Sequence, residues 1–189
     1  VLALLSDREP TLGGARLLCV DGPAGSGKTT LARAVAARTG APVVHMDDLY
    51  DGWTGLATVT DQLGTLLGPL AVGRPGHYRR YDWHVGAFAE TVEVAPPGPG
   101  GLLVVEGVGS GLAAYAALQT VLAWVEVPRD LRLRRGLERD GEGVRAEWLA
   151  WQAAEDDHFN RDRTRQRADL VVDGRADDGA GDQGVTEPS

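Results

Sequence analysis

Five short runs of apolar, mostly branched residues recur along the chain, at positions 17–21, 42–46, 102–106, 121–127 and 169–173. Near-continuous apolar character over so few residues fits strands covered on both faces rather than half-exposed ones. Each run gives way to polar or glycine-bearing residues, and the runs alternate with helix-forming stretches. That alternation predicts an α/β fold built on a parallel sheet. Positions 28–38 form an alanine-rich helix candidate closed by Gly40, and 61–70 and 81–90 are weaker helix candidates. A helix over 129–140 follows Pro128, which suits a first turn. Strong helix formers at 142–158 carry Trp148 and Trp151 three apart, a spacing more common in packing than in a ligand platform. The Pro/Gly-rich segment 95–101 reads as a surface loop before the central strand.

Length and composition narrow the class. With 189 residues the chain fits one domain that buries roughly 70% of its unfolded surface. We read positions 1–173 as that domain and 174–189, which are Gly-rich, acidic and aperiodic, as a disordered tail. Hydrophobic residues at 43% and charged residues at 24% give the mix of a soluble globular protein. No apolar run is long enough to span a bilayer, and no N-terminal stretch has the form of a secretory signal, so a cytoplasmic location without membrane attachment is expected. The single cysteine, Cys19, lies inside a strand run and is expected to be buried. A formal charge of -8 argues against a nucleic-acid partner, because phosphate backbones are held by basic surfaces. Assembly, including a homodimer, stays open.

The candidate chemistry begins after the first strand. Gly22-Pro23-Ala24-Gly25-Ser26-Gly27-Lys28-Thr29 satisfies the pattern of glycine, four residues, then glycine, lysine and a hydroxyl residue. It follows a strand and opens a helix, so its backbone N–H groups converge on an anion at the positive end of the helix dipole. Gly22, Ala24, Gly25, Ser26, Gly27, Lys28, Thr29 and Thr30 are therefore candidates for holding the phosphates of ATP. Lys28 would reach the β and γ phosphates, and Thr29 would bind Mg2+. No Asn-Lys-x-Asp segment is present, which argues against a GTP switch, and the chain is too short for the helical second domain of an AAA-type machine.

Three further features bear on what the cradle is for. The second strand ends in His45-Met46-Asp47-Asp48-Leu49-Tyr50, placing carboxylates at the edge where ligands collect in open α/β sheets. Asp47 would accept a hydroxyl proton during phosphoryl transfer; alternatively both aspartates cap a helix or sit in a solvated loop. Glu106, at the tip of the third strand, is placed to hold magnesium or its water shell, or is an ordinary turn residue. Arg132, Arg135 and Arg139 share a helix face that would close over a triphosphate, unless Glu138, Asp140 or Glu142 pair with it instead.

Taken in order, these motifs resemble the uridine kinase and nucleoside kinase branch of the P-loop kinases. Asp21-Gly22 through Thr30 is similar to that family's cradle, and His45 through Tyr50 to its strand-end motif. Val104-Val105-Glu106-Gly107 is similar to its magnesium-linked step, the residues Asp130 to Asp140 to its lid helix, and Ala168-Asp169-Leu170-Val171-Val172 to its last strand. The resemblance implies a three-layer α/β fold whose five-stranded parallel sheet runs in the order 2-3-1-4-5, with a lid over about 129–145. It also implies Asp47 as base, Lys28, Arg135 and Arg139 as further catalytic groups, and Arg132 with Arg135 on the nucleotide. Gly136 departs from the pattern, standing where the family often has arginine. The acceptor region matches loosely: Tyr50, Tyr78, Arg80, Asp82 and His84 would bind a base or sugar, or form a packing cluster. The expected activity is ATP- and Mg2+-dependent phosphorylation of a hydroxyl on a nucleoside, nucleotide or similar small polar metabolite. The alternatives are a kinase of another alcohol, such as a sugar, vitamin precursor or antibiotic, and an ATP-binding regulatory module that transfers nothing.

Overall fold

A computed structural model describes residues 1–175. The tail predicted over 174–189 therefore lies outside the described residues except for Gly174 and Arg175. The first element is a short helix, α1 (Leu2–Asp7), followed by strand β1 (Arg16–Asp21). Helix α2 (Lys28–Thr39) leads to β2 (Val43–His45), a 3₁₀ turn at Met46–Asp48, another at Gly52–Ala57, and helix α3 (Val59–Leu70). A hairpin of β3 (Gly76–Asp82) and β4 (Ala87–Val94) precedes β5 (Leu102–Glu106), and a 3₁₀ segment (Ala113–Leu118) precedes β6 (Val121–Glu126). The chain closes with α4 (Arg129–Asp140), α5 (Arg145–Asp162), α6 (Thr164–Arg167) and β7 (Leu170–Asp173).

Five strands pair in the order β2-β5-β1-β6-β7, every pair parallel. Counted over this sheet alone the order is 2-3-1-4-5, as the sequence resemblance implies. Side chains alternate along β1 as a strand requires. Leu17 and Cys19 enter one core with Leu103, Val105, the leucines of α3 and Trp151. Leu18 and Val20 enter the other, with Val104, Ala123, Val125, and Ala32 and Val35 of α2. Each fully buried leucine or valine contributes about 1.5–3 kcal/mol, so the two cores fix the central strands and hence their carboxyl ends. Register then aligns His45 with Glu106, and Val20 with Glu106 on the other side. Cys19 is fully buried, and burial pushes its thiol pKa well up.

The hairpin corrects the helix expected over 81–90. Tyr78 and Tyr81 turn inward, while Phe88, Val92 and Val94 of the partner strand are β-formers on its half-buried face. Gly86, at φ 73°, closes the turn by donating its N–H to the Asp82 carbonyl at 2.7 Å. Helix α1 had no counterpart in the sequence reading; Leu5 alone of its residues is fully buried. The other predicted strands and helices lie within a few residues of their expected bounds, and the 142–158 candidate divides into a 3₁₀ turn and α5.

Candidate active site

The loop between β1 and α2 curls because Gly25 and Gly27 take positive φ values of 77° and 96°. At Gly25 the curl is also enforced by crowding: a Cβ there would lie 2.6 Å from the Arg132 carbonyl oxygen. The Ser26 N–H donates to the Pro23 carbonyl at 3.2 Å, and Lys28 Nζ arches back to the same carbonyl at 2.9 Å. Among the described residues the N–H groups of Gly25 and Gly27 have no protein acceptor, which leaves them free to line an anion nest. Two other amides of the motif are already committed. Gly22 donates to Asp21 Oδ1 at 2.7 Å, and Ala24 donates to Glu155 Oε2 at 2.8 Å. Among the described residues the Ser26 hydroxyl is buried without a partner.

Asp21 anchors the loop from behind. Fully buried, it also accepts the N–H groups of Gly109 at 3.0 Å and Gly111 at 2.8 Å, tying the cradle to the segment after β5. Burial pushes its pKa up to about 6 against the opposing pull of these amides and of Lys28.

At the end of β5, Glu106 Oε1 accepts from Thr29 Oγ1 at 3.1 Å and meets His45 Nδ1 at 2.5 Å. That hydrogen bond raises the His45 pKa, with the Glu106 charge adding to it. The hydroxyl and carboxylate pair fits magnesium, which takes few protein ligands beside phosphate and water. Among the described residues no trio of His, Cys, Asp or Glu is arranged to hold a metal by itself. Asp47, in the 3₁₀ turn after β2, is exposed at the mouth of the same cavity, with protein packed closely around its base. That packing raises its pKa; Glu106 adds to the rise, and Lys28, Arg139 and His45 oppose it.

From α4, Arg135 reaches the Gly25 carbonyl at 3.3 Å and the Gly174 carbonyl at 3.1 Å. Arg139 pairs with Asp140 at 2.7 Å and lies 5.8 Å from the Trp148 ring centre. Both arginines line the cavity. Arg132 corrects the expectation of a shared arginine face: it is 6% exposed, pairs with the fully buried Glu155 at 2.5 Å, and does not line the cavity. Glu155 thus joins α4 to the loop through Arg132 and the Ala24 amide, a role with no local sequence motif.

The cavity measures about 650 Å³. Ala24, Gly25, Gly27, Lys28, Thr29 and Thr30 form one end with Glu106, while Gly22 and Ser26 lie behind it. Of the predicted acceptor residues, Asp47 and Tyr50 reach the cavity; Tyr78, Arg80, Asp82 and His84 do not. Tyr78 packs in the core, Arg80 pairs with Glu90 across the hairpin at 2.6 Å, and Asp82 caps its turn by accepting the N–H groups of His84 and Val85. Instead, Trp53, Trp83, Trp148 and Trp151 form an aromatic wall of the cavity. Trp53 packs edge-on against the other three at 5.7, 6.1 and 6.2 Å. The tryptophan pair on α5 was visible in the sequence; its convergence with Trp53 and Trp83 was not.

Comparison with known proteins bears out the frame. The family model for the ATPase family associated with various cellular activities (AAA) matches residues 18–51, which hold β1, the cradle, α2 and β2. A possible uridine kinase from Bacillus stearothermophilus superposes with a TM-score of 0.59 at 20% identity, over 85% of this chain and 89% of the other. A candidate fructose transport system kinase from Silicibacter sp. TM1040 superposes with a TM-score of 0.64 at 20% identity, over 90% and 95%. No curated protein matches the sequence. The chain has the α/β fold of the P-loop kinases. Among the described residues no helix is long and apolar enough to cross a membrane.

Proposed function

We propose that this chain is an ATP- and Mg2+-dependent kinase that phosphorylates a hydroxyl of a small molecule, within the class of nucleosides, nucleotides and similar polar metabolites. One observation carries the reading: Asp47, Lys28, Thr29 and Glu106 face a single cavity that also holds the cradle and an aromatic wall able to hold an acceptor. Two structural neighbours named as kinases support it.

ATP supplies the transferred phosphoryl group and magnesium the neutralising charge. Asp47 takes the acceptor's hydroxyl proton, and its raised pKa keeps it a stronger base than an ordinary carboxylate. Glu106 orients the Thr29 hydroxyl, Lys28 and the free amides hold negative charge, and Arg135 and Arg139 offset charge that builds during transfer. The tryptophan wall keeps water from competing as acceptor.

The test is ADP release measured across nucleosides, sugars and other alcohols, for the wild type and Asp47→Asn. Acceptor-dependent release that falls at least about 100-fold in the variant, with ATP binding kept, is expected. ATP binding without release on any acceptor would assign the cradle to a regulatory module. Full activity in the variant would remove Asp47 as base.

A further inference from the structure

The kinase reading gives the aromatic wall a role but does not say which acceptor it fits, and its make-up is restrictive. Four of the five tryptophans in the chain converge on this one cavity. Their mutual edge contacts hold them as a preformed surface rather than a set of mobile side chains. Two indole donors are already spent: Trp83 Nε1 donates to the Asp47 carbonyl at 2.9 Å, and Trp148 Nε1 to Asp140 Oδ2 at 3.0 Å. Those rings therefore offer carbon surface to a ligand, not hydrogen bonds.

The polar groups beside the wall are equally selective. Among the described residues no asparagine, glutamine or serine side chain lines the cavity. Such groups, carrying both donor and acceptor, are one means of reading the edge of a nucleobase or the hydroxyls of a sugar; charged side chains are the other. What the acceptor end offers is charge, in Asp47, Asp48, Arg139 and Asp140. Asp140 is paired with Arg139, which the transfer uses. Asp47 is reserved for the reacting hydroxyl. Asp48 is half-buried and makes no hydrogen bond or ion pair among the described residues, although the charges of His45 and Arg80 act on it. A half-buried carboxylate that makes no hydrogen bond, beside aromatic faces, favours a cation, which gains from the charge and the π surfaces together.

Resting on the kinase reading, we propose that the acceptor is an aromatic amino alcohol: its flat body lies against the tryptophan wall, its protonated amine faces Asp48, and its hydroxyl meets Asp47. In the transfer the hydroxyl oxygen forms the new bond to the γ-phosphorus as the bond from that phosphorus to the bridging oxygen breaks. The bridging oxygen keeps the electron pair and leaves with ADP, and Asp47 holds the hydroxyl proton.

Phenylethanolamine is the probe, compared with phenylethylene glycol, which lacks the charge, with ethanolamine, which lacks the ring, and with uridine and glucose. Binding is measured by calorimetry without ATP, and turnover separately by ADP release with ATP and Mg2+. Phenylethanolamine is expected to bind at least about tenfold more tightly than each of the other four. Asp48→Asn should erase its advantage over the glycol, and Trp53→Leu its advantage over ethanolamine. Should Trp53→Leu fail to fold, Trp83→Leu, at a position 41% exposed, makes the same test. Tighter binding of uridine or glucose, an unchanged preference in Asp48→Asn, or no binding of phenylethanolamine at millimolar concentration would overturn the assignment. The two readings fail separately. Preferential binding with no ADP release on any acceptor sinks the kinase and keeps the pocket; release with uridine or glucose alone keeps the kinase and sinks the amino alcohol.

Discussion

Trp148 of α5 occupies the space into which a side chain at Gly136 of α4 would grow: a Cβ on Gly136 would lie 2.4 Å from Trp148 Cζ2 and 2.5 Å from Cε2. Nucleoside kinases, which the lid sequence resembles, often carry arginine at this position. Here the indole of Trp148 fills the space beside Gly136, so the departure seen in the sequence and the aromatic wall meet at one position. A single added methyl cannot be absorbed by a ring packed against Trp53. Gly136→Ala should therefore cost about 1–3 kcal/mol of stability, read from urea unfolding, and Trp148→Leu made alongside it should recover most of the loss. Additive costs in the double variant would separate the two residues.

Why the frame was legible in the sequence and the acceptor end was not follows from the range of the contacts. β1, the cradle and α2 are consecutive, so glycine spacing and one apolar run specify them locally. Asp47 and Glu106 were visible because parallel strands put their carboxyl ends on one edge. The acceptor wall gathers Trp53 from a 3₁₀ turn, Trp83 from a hairpin tip and Trp148 and Trp151 from α5, a convergence that no local period encodes. Arg132 misled for a related reason: helical spacing groups it with Arg135 and Arg139, yet the fully buried Glu155, 23 residues on, pulls it inward. The hairpin was read as helix because Tyr81, Phe88 and their neighbours alternate across a turn rather than within one uninterrupted run.

The Arg132–Glu155 pair should be costly to break from one side. Glu155→Ala leaves a guanidinium buried without its counter-charge and also frees the Ala24 amide. A loss of about 3–5 kcal/mol is expected, together with weaker ATP binding because the loop loses its tie to α5. Replacing both partners with methionine should restore much of the stability without the loop contact. Recovery of stability but not of ATP affinity, measured by denaturation and calorimetry, would separate the packing role from the positioning role.

The base should leave its mark on the pH profile. Asp47 must be ionised to accept a proton, and the packing at its base together with the Glu106 charge raises its pKa. As pH falls, kcat/KM should therefore decline at a higher pH than an unperturbed carboxylate would give. Glu106→Gln removes a raising charge while Lys28, Arg139 and His45 remain, so the acid limb should move to lower pH even as the rate drops through weaker metal binding. A limb that stays in place would assign it to another group.

Asp21 predicts a pH dependence of stability rather than of rate. Its pKa rises on folding from 3.8 to about 6, chiefly through burial. Between those values the folded state binds more protons than the unfolded one, so this residue's contribution is full below about pH 4 and is lost as pH rises through about 6. The span corresponds to about 3 kcal/mol. Asp47, Asp48 and Glu155 also titrate upward on folding, but they are common to the wild type and Asp21→Asn and cancel in the difference. The variant carries its own constant penalty, because an amide offers one acceptor where three N–H groups converge. Only the slope therefore reports ionisation. The stability gap between the two proteins, from urea titrations at pH 4 to 8, should be widest at the acid end and narrow toward neutrality. A constant gap would mean that Asp21 does not change its charge over that range and that the cradle is held by the same carboxylate throughout.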